Sequence, residues 1–484
     1  MDVEKKNPHR GAWRGMSRRE FLGIAGAGAV LGFGALDGLI ARKALAQQGS
    51  LLQASSGDGG YGPLSPLTRT DPKTGFSQTL WLPEGFDFRI FGLSGTEMDD
   101  GWLTPLALDG MAAFPGPDGT VRLVRNHEER NTPDTVTPSG SAENRYDELG
   151  GGGTSTLQVR TTADGERVLE RSFMSLSGTI VNCAGGRTPW GSWLSCEETT
   201  AGPAAGWKRE HGYVFEVPAA SNAPAAPVPL RAMGRFVHEA AAVDPRTGIV
   251  YETEDRDPEA GFYRFVPNQP GQLTAGGQLQ MLKVAGIRNY DTRTGQKPGH
   301  RLPVEWVVIG NADPQNAETN PLAVYQQGSK KGGATFTRIE GAWWGRREMY
   351  FCCTNGGDAG EGQIWEYRPG RGTSGGELTL VYESPSADVL SFPDNITVTP
   401  GGALLVCEDT GSRSDFYLQG LTRDGRIFPF CGTETGSEWA GATFSPNGET
   451  LFVNLFGASV GPVSEPSDPG RTVAIWGPWE NGAL

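Results

Sequence analysis

The chain is poor in the residues from which most hydrolytic and redox motifs are built. Five histidines in 484 residues leave a His-rich zinc site short of ligands, and no H-E-x-x-H occurs. There is no C-x-x-C, and no P-loop: the run Gly150 to Gly153 is followed by no G-K-[ST], so it is a loop and not a phosphate cradle. Six cysteines are spaced in no pattern that implies a disulfide framework, although pairing is left open. Basic residues are outnumbered, 42 Lys+Arg against 56 Asp+Glu for a net charge of −14, which excludes nucleic acid as a partner. Long segments with a 3.6-residue apolar period are missing as well, which excludes a helical bundle.

What the chain does have begins with a leader. Ser17-Arg18-Arg19-Glu20-Phe21-Leu22 pairs two arginines ahead of an Ala/Gly/Leu stretch that runs to about Ile40, and Arg42, Lys43 and Ala44-Leu45-Ala46 follow as an A-x-A cleavage site. The stretch is Gly-rich and broken by Asp37, so a twin-arginine export signal fits better than a membrane-anchoring helix. Residues 1–46 are thus expected to be a signal peptide, and 47–484 a single exported domain, periplasmic or secreted, with no stable membrane insertion. The signal holds 8 of the basic and 4 of the acidic residues, so the mature chain carries 42 − 8 = 34 against 56 − 4 = 52, a net of −18. An anionic substrate would need a locally positive site on such a surface. Metal ions could supply it.

The rest of the chain reads as all-β. Short alternating segments are bounded by Pro-Asp-Gly, Arg-Thr-Gly, Pro-Gly-Gly and Pro-Asn-Gly turns. Six of them repeat one pattern: LDGMAAFPGPDGTVRLVRNHEE (108–129), VNCAGGRTPWGSWLSCEE (181–198), VHEAAAVDPRTGIVYETED (237–255), RIEGAWWGRREMYFCCTNG (338–356), PDNITVTPGGALLVCED (393–409) and EWAGATFSPNGETLFVNL (438–455). Further strands are expected at 212–218, 261–267, 362–369 and 424–430. Six hairpins with extra strands between them predict a six-bladed β-propeller with loop insertions. A β-helix is the runner-up, disfavoured because the repeats start at irregular intervals.

In a propeller the innermost strands begin at one mouth of the channel, so the leading residues Asp109, Cys183, Glu239, Glu340, Asp394 and Glu438 are expected to converge there. Like charges that close repel by several kcal/mol unless cations neutralise them. Oxygen donors suit Ca²⁺ or Mg²⁺, and a thiolate adds a softer ligand for a transition metal such as iron. The return strands add Glu128, Glu197, Glu198, Glu254, Asp255, Glu408 and Asp409 as ligands or their supports. His127 and His238 are the histidines placed to matter. Cys196, Cys352, Cys353, Cys407 and Cys431 lie in or beside apolar strands, where a reduced cysteine packs as a small hydrophobe.

The stretches NHEE (126–129), NCAGGRTPWGSWLSCEE (182–198), RFVHEAAAVDPRTGIVYETED (235–255), GFYRF (261–265), FTRIEGAWW (336–344), DNITVTPGGALLVCED (394–409) and GATFSPNGETLFVN (441–454) resemble the motifs of the PhoX-type alkaline phosphatases over nearly the whole mature chain. The resemblance implies an exported phosphatase acting on phosphate monoesters at an iron–calcium cluster, with an oxygen bridging the metals as nucleophile. It implies Cys183 as an iron ligand, Glu239 and Glu340 as metal ligands, and Arg338 as a phosphate contact, with Arg338 and Glu340 the catalytic pair. Position in the repeat adds Glu128, Glu197, Asp255, Asp394 and Glu408 as metal ligands. The expected partners are a small phosphate ester and the twin-arginine export machinery, with the protein a monomer. A salt bridge to Glu340 on the same strand is the other reading of Arg338. A non-catalytic propeller with a structural metal cluster and a calcium-dependent lactonase-like hydrolase are the alternative functions.

Overall fold

The computed structural model describes residues 59–484 except 373–374, 410–414 and 434–436. The expected signal peptide, 1–46, lies outside the described residues. Twenty-six strands and one α-helix, Ala323–Lys330, make up the regular structure among the described residues apart from short 3₁₀ turns.

The strands form six blades. Their innermost strands are Leu108–Pro115, Asn182–Arg187, His238–Val243, Ile339–Trp344, Pro393–Val398 and Trp439–Phe444, for blades I to VI. Each is followed by an antiparallel return strand, and each inner strand touches the next until blade VI meets blade I. The circle is closed from the N-terminal side. Asp87–Phe91 pairs with Arg471–Trp476 as the outer strand of blade VI, so the last blade is built from both ends of the described chain. Two more early strands, Leu64–Thr70 and Ser77–Pro83, extend blade V. Arg301–Val308 pairs with Gly376–Glu383 and fuses the outer edges of blades III and IV.

The reason for this architecture lies in strand faces. Successive residues of a strand point to opposite sides, and a propeller blade is covered on both. In blade V, Leu404 and Val406 pack toward blade IV while Leu405 and Cys407 pack toward blade VI. The return strands are therefore apolar without alternation, as in LLVC, MYFCC and TLFV. One apolar core fills each of the six gaps between neighbouring blades. Nearer the axis the strands crowd. A Cβ on Gly110 would lie 2.5 Å from the Ala184 Cα, and one on Gly341 would lie 2.7 Å from the Asn395 Cα, so only glycine permits that approach.

Candidate metal centre

All six inner strands carry a register shift near their start, one residue later in blade VI than in the other five. The bulge falls between Leu108 and Met111, Asn182 and Gly185, His238 and Ala241, Ile339 and Ala342, Pro393 and Ile396, and Ala440 and Thr443. In five blades the second strand residue, inside the bulge, is Asp109, Cys183, Glu239, Glu340 or Asp394, because a bulge re-aims the side chain it contains. In blade VI that strand position is Ala440, and Glu438 stands just before the strand.

The residue leading into the strand is held in an unusual conformation. Ala107, Val181, Arg338 and Phe392 have φ of 52°, 49°, 37° and 48°, a left-handed region that is costly for non-glycine residues and most so for a β-branched one. Their carbonyls accept hydrogen bonds from Glu128, Glu198, Thr354 and Asp409, at 2.8, 2.8, 2.9 and 2.9 Å; Val237 and Glu438 accept in the same way from Asp255 and Phe456. The residue just beyond each return strand is thereby locked at the mouth. Four of those six residues are carboxylates.

Other side chains fix the bulges. Asn126 donates to the carbonyls of Cys183 and Ala184 at 2.8 and 2.7 Å, Thr253 to that of Glu340 at 2.8 Å, and Asn454 to that of Asp109 at 2.6 Å. Each belongs to the neighbouring blade, so one blade positions the next blade's mouth residue.

The result is a chain of four overlapping groups, each with donor atoms within 4.8 Å of one another: Asp109, Glu128 and Cys183; Cys183, Glu198 and Glu239; Glu239, Glu340 and Asp394; and Asp394, Asp409 and Glu438. Cys183 Sγ lies 3.4 Å from Asp109 Oδ2. Glu239 is completely buried, and neither of its carboxylate oxygens has a hydrogen-bond partner. Burial first, then the charges of Glu340, Glu198, Asp394 and Asp109, push its pKa well above the usual carboxylate range. Two arginines face this negative site. Arg130 contacts Glu128 and lies 2.5 Å from Glu198, and Arg338 grips Asp255 through two 3.1 Å bonds while also contacting Glu340. Both keep part of their side chains exposed, 27 % and 17 %, which puts them at the rim.

The expected ligands divide in two. Cys183, Glu239, Glu340, Asp394 and Glu128 come together. Asp255 sits beside them as the partner of Arg338. Glu197 and Glu408 do not join: each is the last residue of its return strand and points to the other side of it from its neighbour. Glu197 accepts from the backbone of Ile180, Gly212 and Tyr213 and from His211 at 2.6 Å, and Glu408 from Ser391, Tyr417 and Gln419. Glu254, at the same position, takes Gly261 N and the Tyr263 hydroxyl. These acids clamp loops, while Glu198 and Asp409 occupy the mouth. His127 is bonded to Ser155 at 2.8 Å and His238 faces Glu252 at 3.5 Å, and neither is in a metal-capable group. Glu198 and Asp409 were named only among the candidates; Arg130, Asn126, Thr253 and Asn454 were missed, although NHEER (126–130) repeats the strand-end pattern.

The cysteines divide as sharply. Cys196, Cys352, Cys353, Cys407 and Cys431 belong to the inter-blade cores, and burial pushes their thiols well above the usual range. Cys183 is equally buried but belongs to none of those cores and faces acids. All six are free.

A family model described as alkaline phosphatase PhoX matches residues 59–458. Among solved structures, the Pseudomonas fluorescens PhoX in complex with vanadate is similar, with 18 % sequence identity and a TM-score of 0.64, over 89 % of this chain and 99 % of that one. A gluconolactonase from Xanthomonas campestris aligns more loosely, with 13 % identity and a TM-score of 0.40 over 81 % of this chain and 96 % of that one. No curated protein sequence matches the chain.

Proposed function

The chain belongs to the family of alkaline phosphatase PhoX, and from that premise we propose that it is an exported enzyme hydrolysing phosphate monoesters at an iron–calcium cluster held in the mouth of the propeller. The observation that carries this reading is the run of four overlapping donor groups around Glu239. With its two oxygens buried and without hydrogen-bond partners, Glu239 is a poor structural acid and a good cation ligand. The donor set fits the family's metals: oxygen donors from Glu128, Glu198, Glu239, Glu340, Asp394, Asp409 and Glu438 suit Ca²⁺, and the Cys183 thiolate suits iron. Such ions, when bound, polarise phosphoryl oxygens and stabilise charge on the leaving oxygen.

The protein's own residues do the remaining work. Arg338, released from Asp255 and Glu340 when those acids have other cations to neutralise them, binds the phosphoryl oxygens through its planar fork of donors. Arg130, between Glu128 and Glu198, offers a second positive contact at the rim, where blades I and II meet. Together they let a dianion approach a chain whose net charge is −14. Asn126, Thr253 and Asn454 hold the bulges, so the donors are positioned before any ligand arrives. Among the described residues no helix is long and apolar enough to cross a membrane, and the twin-arginine leader accounts for export to the periplasm or beyond.

Hydrolysis of p-nitrophenyl phosphate at alkaline pH, before and after exhaustive chelation, tests the reading. Turnover that disappears with the metals and returns with Ca²⁺ and iron is expected. Turnover of a lactone with none of the phosphate ester would put a calcium-dependent lactonase in its place.

A further inference from the structure

The inner strands end at the other side of the propeller, around a cavity of about 420 Å³. Its walls are apolar and aromatic: Phe114, Pro189, Val243, Trp343 and Trp344 come from the strand ends and following turns of blades I to IV. The tandem tryptophan belongs to the FTRIEGAWW stretch, whose Arg338 and Glu340 face the metal-side mouth while Trp343 and Trp344 project here. Trp344 stacks at 13° on Tyr251, 6.2 Å between centroids, which steadies that wall.

One charge stands in this cavity. Arg187, the last residue of the blade II inner strand, places its guanidinium 5.6 Å from the centre of the Phe114 ring and makes no hydrogen bond or ion pair with any described residue. No carboxylate lines the cavity, and the nearby Asp244 is engaged by Arg246 at 3.1 Å. Arg187 is itself exposed, so its guanidinium stands at the open side of the cavity with no anion of the chain beside it. In a chain with 14 more acids than bases, an exposed arginine with no acid beside it, at the edge of an aromatic-lined cavity, is open to an anionic ligand.

We propose that this cavity is a binding site for a small aromatic carboxylate, its ring against the half-buried Trp343 and Trp344 and its carboxylate on Arg187. The volume lies in the lower part of the range of about 300–1,000 Å³ usual for small-molecule sites. A carboxylate takes two parallel hydrogen bonds from a guanidinium, shorter and stronger than those between neutral groups. The site is separate from the metal centre, since Arg187 is four residues beyond Cys183 along one strand, about 13 Å. The inference is independent of the phosphatase reading.

The experiment titrates 2-naphthoate into the metal-loaded protein, read by calorimetry and tryptophan fluorescence, with neutral 2-naphthamide in parallel. One naphthoate per chain is expected, the amide binding about ten-fold more weakly, as the loss of a charge-assisted hydrogen bond predicts. Arg187→Gln should weaken naphthoate by a similar factor, Arg187→Lys should retain most of the affinity, and saturating inorganic phosphate should not displace it. Hydrolysis of p-nitrophenyl phosphate should be unchanged in both variants. Equal affinity for acid and amide in the wild type, which needs no variant to fold, would overturn the proposal. So would unchanged binding to Arg187→Gln, absence of saturable binding, or displacement by phosphate.

Discussion

The two ends of the channel are made by the same six strands and have opposite chemistry. Where the strands begin, bulges and left-handed lead-in residues aim acids and one thiol into a common space. Where they end, proline, small residues and tryptophan line a cavity with a single, exposed arginine. The difference teaches how a propeller separates its tasks. The blade cores between return strands supply the stability, so the mouth can be electrostatically unfavourable until cations occupy it. The far end needs no such compensation, and its side chains pack on the blades.

The largest expected effect comes from the mouth. Cys183→Ala should remove bound iron and reduce phosphate ester hydrolysis by more than the roughly 100-fold that loss of an outer partner of a metal ligand costs, with the circular dichroism spectrum unchanged. Cys196→Ala, in an inter-blade core, should lower the melting temperature and leave iron in place. Adjacent acids give the next contrast. Glu197→Gln should destabilise the fold by about 3 kcal/mol or more, because it breaks a buried charged network, yet leave metal content intact, and Glu198→Gln should do the reverse. Denaturant melts and elemental analysis on the pair decide it; identical behaviour would erase the division drawn between them.

A pH dependence follows from the Glu197 clamp. Burial alone would lower the pKa of His211, but the charge of Glu197 and the bond to Asp147 outweigh it and lift it to about 9 from 6.5. A pKa raised in the folded state means that the protonated form stabilises. The contribution is full below about pH 6.5 and is lost as pH rises through about 9, a change of about 3 kcal/mol for a shift of this size. His211→Gln should flatten that part of the stability profile measured between neutral and alkaline pH. The smallest effect is expected at Val181, where the left-handed backbone offsets the usual cost of glycine: Val181→Gly should change stability by no more than about 1 kcal/mol, whereas Val250→Gly in a blade core should cost several times that in the same melts.

Much of this was legible in the sequence. The turn-bounded apolar segments gave six blades, because each inner hairpin repeats one pattern and both faces of a return strand are buried. Asp109, Cys183, Glu239, Glu340 and Asp394 were found by their place in that repeat. The choice between neighbours at the strand ends was not legible: Glu197 and Glu198, or Glu408 and Asp409, differ only in which side of the strand they face, and the inner-strand bulges set that parity. Blade VI reaches the mouth by another route: Glu438 stands just before its strand, where Ala440 holds the aligned position, and still joins Asp394 and Asp409. The closing strand Asp87–Phe91 is far in sequence from the blade it completes and carries no sign of its partner.

The central claim is that the run of acids and the thiol at the strand-start mouth binds a cluster of metals. Metal content per chain, measured by elemental mass spectrometry on protein exported by its own leader, tests it most directly. The account predicts iron together with calcium, more than one ion per folded chain. A folded chain that contains no metal and still hydrolyses phosphate esters would contradict it.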